Sequence, residues 1–164
     1  MTEGKSGAGR FQRAGIAACV ALLGLAACQS AQPIGESGSA ASAGVVHLTK
    51  IRTSYGLPPL VPDAKLERAA LQQAQLMARK GRMTHTTGWG ADFNSRMKSN
   101  GINGASAENV ARGRIGAGEV FRMWMNSPGH RRNMLNPNYR RFGLSYVYEA
   151  DGSGRRYWAL VLGS

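Results

Sequence analysis

The sequence WMNSPGHRRNML, from Trp124 to Leu135, is the strongest single indication of this chain's architecture. Trp124 and Met125 belong to an apolar helical face that also includes Val120 and Phe121, and the proline at position 128 stops that helix. Ser127 followed by Pro128 has the form of a helix cap with proline at the first helical position. The sequence therefore predicts two helices that meet at Ser127, the second of which is short and carries His130.

Upstream of this stretch, the clearest helix begins after Pro62-Asp63. Asp63 can cap it, and Gly81 follows its last basic residues as a C-terminal cap. Its apolar face repeats at helical spacing through Leu66, Ala69, Ala70, Gln73, Leu76 and Met77. Shorter helices are predicted for residues 46–55, 92–100 and from about Gly118 onward.

Downstream of Pro137 the spacing of apolar residues changes to two. One run places Phe142, Leu144, Tyr146 and Tyr148 on a single face, and a second run alternates from Tyr157 to Leu162. Turn residues at positions 151–154 separate the runs, which predicts a β-hairpin. With helices first and strands last, the expected class is α+β and layered.

The first 27 residues have the form of a lipoprotein signal peptide. Basic residues precede an apolar run at positions 14–27 that is too short to span a bilayer. Leu25–Cys28 resembles a lipobox, so we expect Cys28 to be lipidated and to anchor the chain in the cell envelope. Gln29 favours the outer membrane if the cell has one. The alternative is an ordinary secretory signal cleaved near Ala27, with Cys28 incidental.

Removal of this segment also removes Cys19, so the mature domain can have no internal disulfide. Residues 28–44 are rich in alanine, serine and glycine, which predicts a flexible tether. The folded domain is expected to cover residues 45–164, a length typical of one domain. We expect this domain to be a monomer.

The chain is strongly basic, with 21 lysines and arginines, 9 acidic residues and a formal net charge of +12. This charge favours anionic partners such as lipid headgroups or envelope glycans. Because the chain is expected to be exported, we predict no nucleic-acid partner. The alternative is a solvated surface that serves solubility. The arginines cluster late, at Arg131-Arg132, Arg140-Arg141 and Arg155-Arg156.

Several segments, in this order, resemble the CAP superfamily of cysteine-rich secretory proteins, antigen 5 and pathogenesis-related proteins, in its bridge-free bacterial (SCP-like) form. They are Arg52, Tyr55–Leu60, Asp63 with Leu66 and Ala70, Arg82–His85, Ala107–Val110, Trp124–Leu135 and Tyr157–Gly163. The resemblance implies a three-layer α–β–α sandwich with a broad cleft on one side.

In that family the cleft is lined by two histidines and two acidic residues. The histidines match His85 and His130, and the first acidic residue matches Glu108. The second acidic position holds Ser127, so the four-residue site is incomplete. Trp89, on a glycine-rich loop just after His85, is a candidate for the cleft rim, or it covers the adjacent helix.

Some family members bind zinc through the two histidines, so His85 and His130 are possible ligands of a divalent metal that the domain does not require. Glu108 could ligate the metal or orient a histidine. Without a shared cleft, His130 would cap its short helix and His85 would bind a loop carbonyl.

These residues favour a binding module that presents its cleft to a lipid, a peptide or a glycan. The alternative is a metal-assisted hydrolase of the peptidase type, with Glu108 as general base. Neither the H-E-x-x-H spacing of zinc proteases nor a G-x-S-x-G nucleophile motif is present, which counts against catalysis. A third interpretation is a structural envelope lipoprotein with a vestigial cleft.

Overall fold

The computed structural model describes Met1, residues 34–86 and residues 92–164. The predicted lipidation site Cys28 and the predicted rim residue Trp89 lie outside these ranges. Within them, none of the helices has the length and apolar character needed to cross a membrane.

The described residues form five helices and five strands. The helices are α1 (Ala41–Ser54), α2 (Ala64–Lys80), α3 (Phe93–Ser99), α4 (Ala117–Asn126) and α5 (Pro128–Met134); the strands are β1 (Ser37–Ser39), β2 (Val61–Pro62), β3 (Ser106–Gly113), β4 (Arg141–Tyr148) and β5 (Arg156–Gly163).

The sheet has the strand order β1-β4-β5-β3, and β2 pairs in parallel with the start of β4. Strands β4 and β5 are antiparallel, with Tyr148 opposite Arg156 next to the turn. The predicted C-terminal hairpin is therefore confirmed. It forms the centre of the sheet, because β1 extends it on the β4 side and β3 on the β5 side.

The expectation that all strands follow the helices is wrong. Strand β1 precedes α1, and β3 lies between α3 and α4. Strand β3 has the sequence SAENVARG, whose polar and charged residues hide the alternation expected of a strand. Its position is set by antiparallel pairing with β5 along its whole length, from Ser106 opposite Gly163 to Gly113 opposite Arg156.

Both faces of the sheet are covered by helices, which confirms the α–β–α sandwich. On one face, Phe142, Leu144 and Trp158 pack in a cluster with residues of α1, α4 and α5. On the other face, Val147 and Ala159 pack with residues of α2 and α3. Because successive residues of a strand point to opposite faces, one apolar hairpin supplies both clusters.

Helix α2 has the ends that the sequence predicts. The Asp63 carboxylate accepts hydrogen bonds from the backbone N–H groups of Lys65 (2.8 Å) and Leu66 (3.0 Å). Gly81 ends the helix with a left-handed backbone, φ = +63°. The helix lies so close to β4 that a Cβ atom added at Gly143 would overlap the α2 backbone.

The prediction of a flexible tether up to residue 44 is wrong for its last part. Ser37–Ser39 pair antiparallel with β4, and α1 begins at Ala41 instead of near Val46. The small residues that suggested a linker are needed for close packing. A side chain at Gly38 would meet the ring of Tyr146, and one at Gly44 would meet the ring of Phe142.

The junction between α4 and α5 lies at Ser127, as predicted. Pro128 occupies the first turn of α5, and the Ser127 hydroxyl makes no capping hydrogen bond. Trp124, at the end of α4, is buried and donates its indole N–H to the carbonyl of Val110 at 3.1 Å. This bond attaches α4 to β3, and so places α5 beside the strand that carries Glu108.

Candidate functional site

The centre of the candidate site is the carboxylate of Glu108 on β3. Its side chain is only 3% exposed and lies between two partners. Oε2 accepts from Nη2 of Arg96 at 2.6 Å, and Oε1 lies 3.0 Å from Nδ1 of His85. Glu108 is therefore not an exposed loop carboxylate, and both of its oxygens are engaged.

Arg96 is the residue that sequence reasoning missed. It lies on α3, which Asp92 caps by accepting from the backbone N–H of Ser95 at 3.1 Å. The Arg96 side chain is 4% exposed. A buried carboxylate requires a partner, and the guanidinium of Arg96 supplies one together with His85. Nothing in the short FNSRMKS sequence of α3 shows that its arginine turns inward.

His85 lies five residues after the end of α2, and its side chain remains 54% exposed. Its position is supported from two helices. Gln73, fully buried on α2, donates to the carbonyl of Thr84, and Nη1 of Arg96 reaches the carbonyl of His85 at 3.5 Å. The ring therefore binds a carboxylate, and not a loop carbonyl, while one edge faces solvent.

His130 lies on α5 and is half-buried. Its backbone carbonyl accepts from the Asn109 amide at 3.1 Å, and Asn133 donates to Asn109 Oδ1 at 2.9 Å. Burial lowers the pKa of the His130 imidazole below its ordinary value, and the nearby charge of His85 lowers it further. The folded state therefore favours the neutral form of the His130 ring, and the two histidines are close enough for their charges to interact.

The other two predicted cleft residues contribute less. Ser127 is half-buried at the junction of α4 and α5, three residues before His130. Trp89 lies outside the described residues. The structure thus brings His85, Glu108 and His130 to one edge of the sheet and adds Arg96, Asn109 and Asn133 behind them.

The positions of these side chains limit the ligands that are available to a metal ion. Among the described residues, no group of three or more histidine, cysteine or acidic side chains is placed to hold a metal ion. Glu108 is tied to Arg96, so it fits the role of a carboxylate behind a ligating histidine better than the role of a ligand. A metal ion held here would therefore rely on the imidazoles of His85 and His130.

A cavity of about 310 Å³ lies away from the two histidines. It is bounded by the end of α2, by Arg112 on β3 and by the turn between β4 and β5, where Glu149 binds both Arg112 and Arg155. Neither histidine lines this cavity, so it is separate from the candidate site.

Comparison with protein families gives a match to the cysteine-rich secretory protein family (CAP) over residues 47–162. The uncharacterized protein YkwD of Bacillus subtilis is 42% identical over 115 residues, which are 68% of this chain. The match covers 44% of YkwD, so this chain spans less than half the length of that relative.

Solved structures with the same fold include proteins from three bacteria. An outer surface protein of Borrelia burgdorferi superposes with a TM-score of 0.67 and 22% identity, over 79% of this chain and 98% of its own. An extracellular SCP-domain protein of Bacillus anthracis gives 0.62 and 20%, over 71% and 37%. A cysteine-rich secretory protein of Staphylococcus aureus gives 0.57 and 21%, over 74% and 38%.

Proposed function

Because this chain belongs to the cysteine-rich secretory protein (CAP) family, we propose that its domain is a binding module of the cell envelope. Its ligand, a lipid, a peptide or a glycan, binds beside His85 and His130. Cys28 carries the lipid anchor, in the outer membrane if the cell has one. Two structural neighbours, an outer surface protein and an extracellular protein, agree with export.

The ion pair between Glu108 and Arg96 is the observation that carries this proposal. A general base must accept a proton from water or substrate, and it must reach that proton. Glu108 is 3% exposed, with one oxygen held by a guanidinium at 2.6 Å and the other by His85. The carboxylate is therefore an orienting group. This role supports ligand binding over the alternative of a metal-assisted hydrolase.

The surface next to the histidines favours an anionic ligand. Arg131 and Arg132 directly follow His130 on α5, and both are exposed. Burial lowers the pKa of His130 and so favours its neutral ring, which offers hydrogen bonds without adding charge. We propose that the rings contact the polar part of the ligand and that the two arginines attract its phosphate or carboxylate groups.

A divalent metal, if bound, is held by His85 and His130. It would supply a Lewis-acidic centre with open positions for a ligand oxygen. Glu108 would then support the ring of His85 from behind, as carboxylates commonly do for ligating histidines.

Zinc titration by calorimetry tests whether the two histidines form one site. The domain from Ala31 onward is a compact unit containing both apolar clusters, so it can be used without the anchor. We expect one-site binding that His85→Ala and His130→Ala each abolish. His47→Ala is the matched control, because His47 lies on α1 against Phe121 and should leave binding unchanged.

Binding to anionic lipid vesicles and to purified peptidoglycan, measured by co-sedimentation, tests the ligand class. We expect retention that falls at high salt and that is weakened about tenfold or more in the double variant Arg131→Ala/Arg132→Ala. Arg68→Ala, an exposed arginine of α2, is the control. Turnover of a peptide substrate that His130→Ala abolishes would instead establish the hydrolase.

A further inference from the structure

The contacts around Glu108 also determine which nitrogen of His85 is available to a ligand. We infer that Arg96 is a positioning residue that, through Glu108, keeps the proton of the neutral His85 ring on Nδ1 and leaves Nε2 unprotonated. The inference describes the ring of His85 without any ligand. It rests on the proposed function only where it assigns a ligand to Nε2.

The first step concerns the state of Glu108. Its side chain is 3% exposed, and the Arg96 guanidinium that contacts it is 4% exposed. Guanidinium stays protonated in proteins, and a contact of 2.6 Å is a short, charge-assisted hydrogen bond. Arg96 therefore holds Glu108 as a carboxylate, because a protonated Glu108 would lose its charge attraction to the buried guanidinium.

The second step follows from donor and acceptor chemistry. An ionised carboxylate can only accept hydrogen bonds. The 3.0 Å contact between Glu108 Oε1 and His85 Nδ1 therefore requires a proton on Nδ1. In the neutral ring the other nitrogen then carries the lone pair. Nε2 of His85 is thus an acceptor for a ligand O–H or N–H group, or a donor atom for a metal ion.

The third step concerns the position of the ring. Arg96 also reaches the carbonyl of His85 at 3.5 Å, while Gln73 donates to the carbonyl of Thr84. Two buried side chains, from α3 and α2, thus hold consecutive peptide groups of the loop. Arg96 contacts the backbone of His85 directly and acts on its ring through Glu108. A side chain that only stabilised the core would not have both effects on one residue.

The tautomer of His85 can be read directly by NMR correlation of ring nitrogens with ring C–H protons in the ¹⁵N-labelled domain at slightly alkaline pH. In the wild type we expect Nδ1 protonated and Nε2 bare. Without the guanidinium the buried carboxylate is penalised, so in Arg96→Gln we expect Glu108 to be protonated and to donate to Nδ1. The Nε2–H form should then rise from a minor to a major species. Arg96→Lys, which keeps the charge, should restore most of the Nδ1–H form. The ring of His47 is the internal control.

Glu108→Gln provides a second test that keeps the shape of the side chain. Arg96 can donate only to the amide oxygen, which turns the amide N–H₂ towards His85 and should invert the tautomer to Nε2–H. This variant decides the question if Arg96→Gln does not fold. A wild-type ring protonated at Nε2, a folded Arg96→Gln domain that keeps Nδ1–H, or a Glu108→Gln variant that keeps Nδ1–H would each overturn the inference. None of these results depends on zinc or ligand binding, so failure of this inference can be distinguished from failure of the proposed function.

Discussion

The guanidinium of Arg52 donates from Nη1 to the carbonyl of Met134 at 2.9 Å, which ties α1 to the end of α5 across 82 residues of chain. The side chain is fully buried, and its other acceptors are also backbone carbonyls: Pro58 (2.8 Å), Asn136 (3.0 Å) and Tyr139 (3.5 Å). Burial lowers the pKa of Arg52, as does the charge of Arg140, but a guanidinium still remains protonated at neutral pH.

Replacing Arg52 should therefore destabilise the domain strongly. Arg52→Met keeps the apolar volume but leaves buried carbonyls without donors, and we expect a loss of about 3 kcal/mol in the free energy of unfolding. Urea denaturation measures this. Arg68→Ala, on the exposed side of α2, should change stability by less than about 0.5 kcal/mol. Equal effects of the two substitutions would show that the carbonyl contacts do not matter.

The cap of α2 should make the stability of the domain depend on pH in the acid range. Burial acts to raise the pKa of Asp63, but backbone hydrogen bonds from Leu66 and Lys65 and the charge of Arg141 lower it below the ordinary 3.8. The folded state thus favours the carboxylate. The contribution of the Asp63 carboxylate to stability is complete above its ordinary pKa of 3.8. It is lost as the pH falls through the lower pKa of the folded state.

Asp63→Asn keeps the capping oxygen and removes the charge. We expect the variant to be less stable than the wild type at neutral pH, and the gap to close as the pH falls through the folded pKa of Asp63, where the wild-type carboxylate takes up its proton. Denaturant unfolding across this range measures the gap. A gap that stays constant with pH would mean that the charge of Asp63 adds nothing to the cap.

The close approach of α2 to β4 should make position 143 intolerant of any side chain. A Cβ atom at Gly143 would overlap the backbone of Leu66 and Glu67, and backbone atoms cannot move aside as a flexible side chain can. We expect Gly143→Ala to cost about 3 kcal/mol or more. Gly129→Ala on α5, whose Cβ would meet nothing within 4 Å, is the matched control and should be close to neutral. Thermal unfolding compares the two.

Loss of Glu108 should be costly because it removes the carboxylate that contacts the buried guanidinium of Arg96 at 2.6 Å. We expect Glu108→Ala to reduce stability by about 3–5 kcal/mol. Glu119→Ala is the comparison, since Glu119 is exposed and lies 3.7 Å from Arg122, a pair worth less than about 1 kcal/mol. If Glu108→Ala proved as mild as Glu119→Ala in urea denaturation, the buried ion pair could not be organising the site.

The parts of the fold that could be predicted are those whose signal lies within a few residues. Helix α2 has its cap at Asp63, its apolar repeat and its terminal Gly81 in one continuous segment. Strand β3 was missed because Glu108, Asn109 and Arg112 are polar. What makes this segment a strand is hydrogen bonding to β5, which begins only at Arg156, so no local pattern reveals the pairing.

The residues of the candidate site also fall into those that the sequence predicts and those that only packing reveals. His85, Glu108 and His130 could be named from short motifs, because each motif is continuous in sequence. Arg96 could not be named, because its inward direction depends on how α3 packs beside β3. The same holds for the start of the domain, where the small residues around Gly38 and Gly44 suggested a linker and instead allow close packing on β4.

The amino-acid sequence alone was sufficient for both ends of α2, the C-terminal hairpin and the family, since caps, turns and apolar periodicity act over a few residues. Tertiary packing was needed to show that Glu108 is buried, that Arg96 neutralises its charge and that burial lowers the pKa of His130 beside His85. Burial and the distances between charges arise only when segments far apart in the chain come together, and these two quantities set the chemistry of the site.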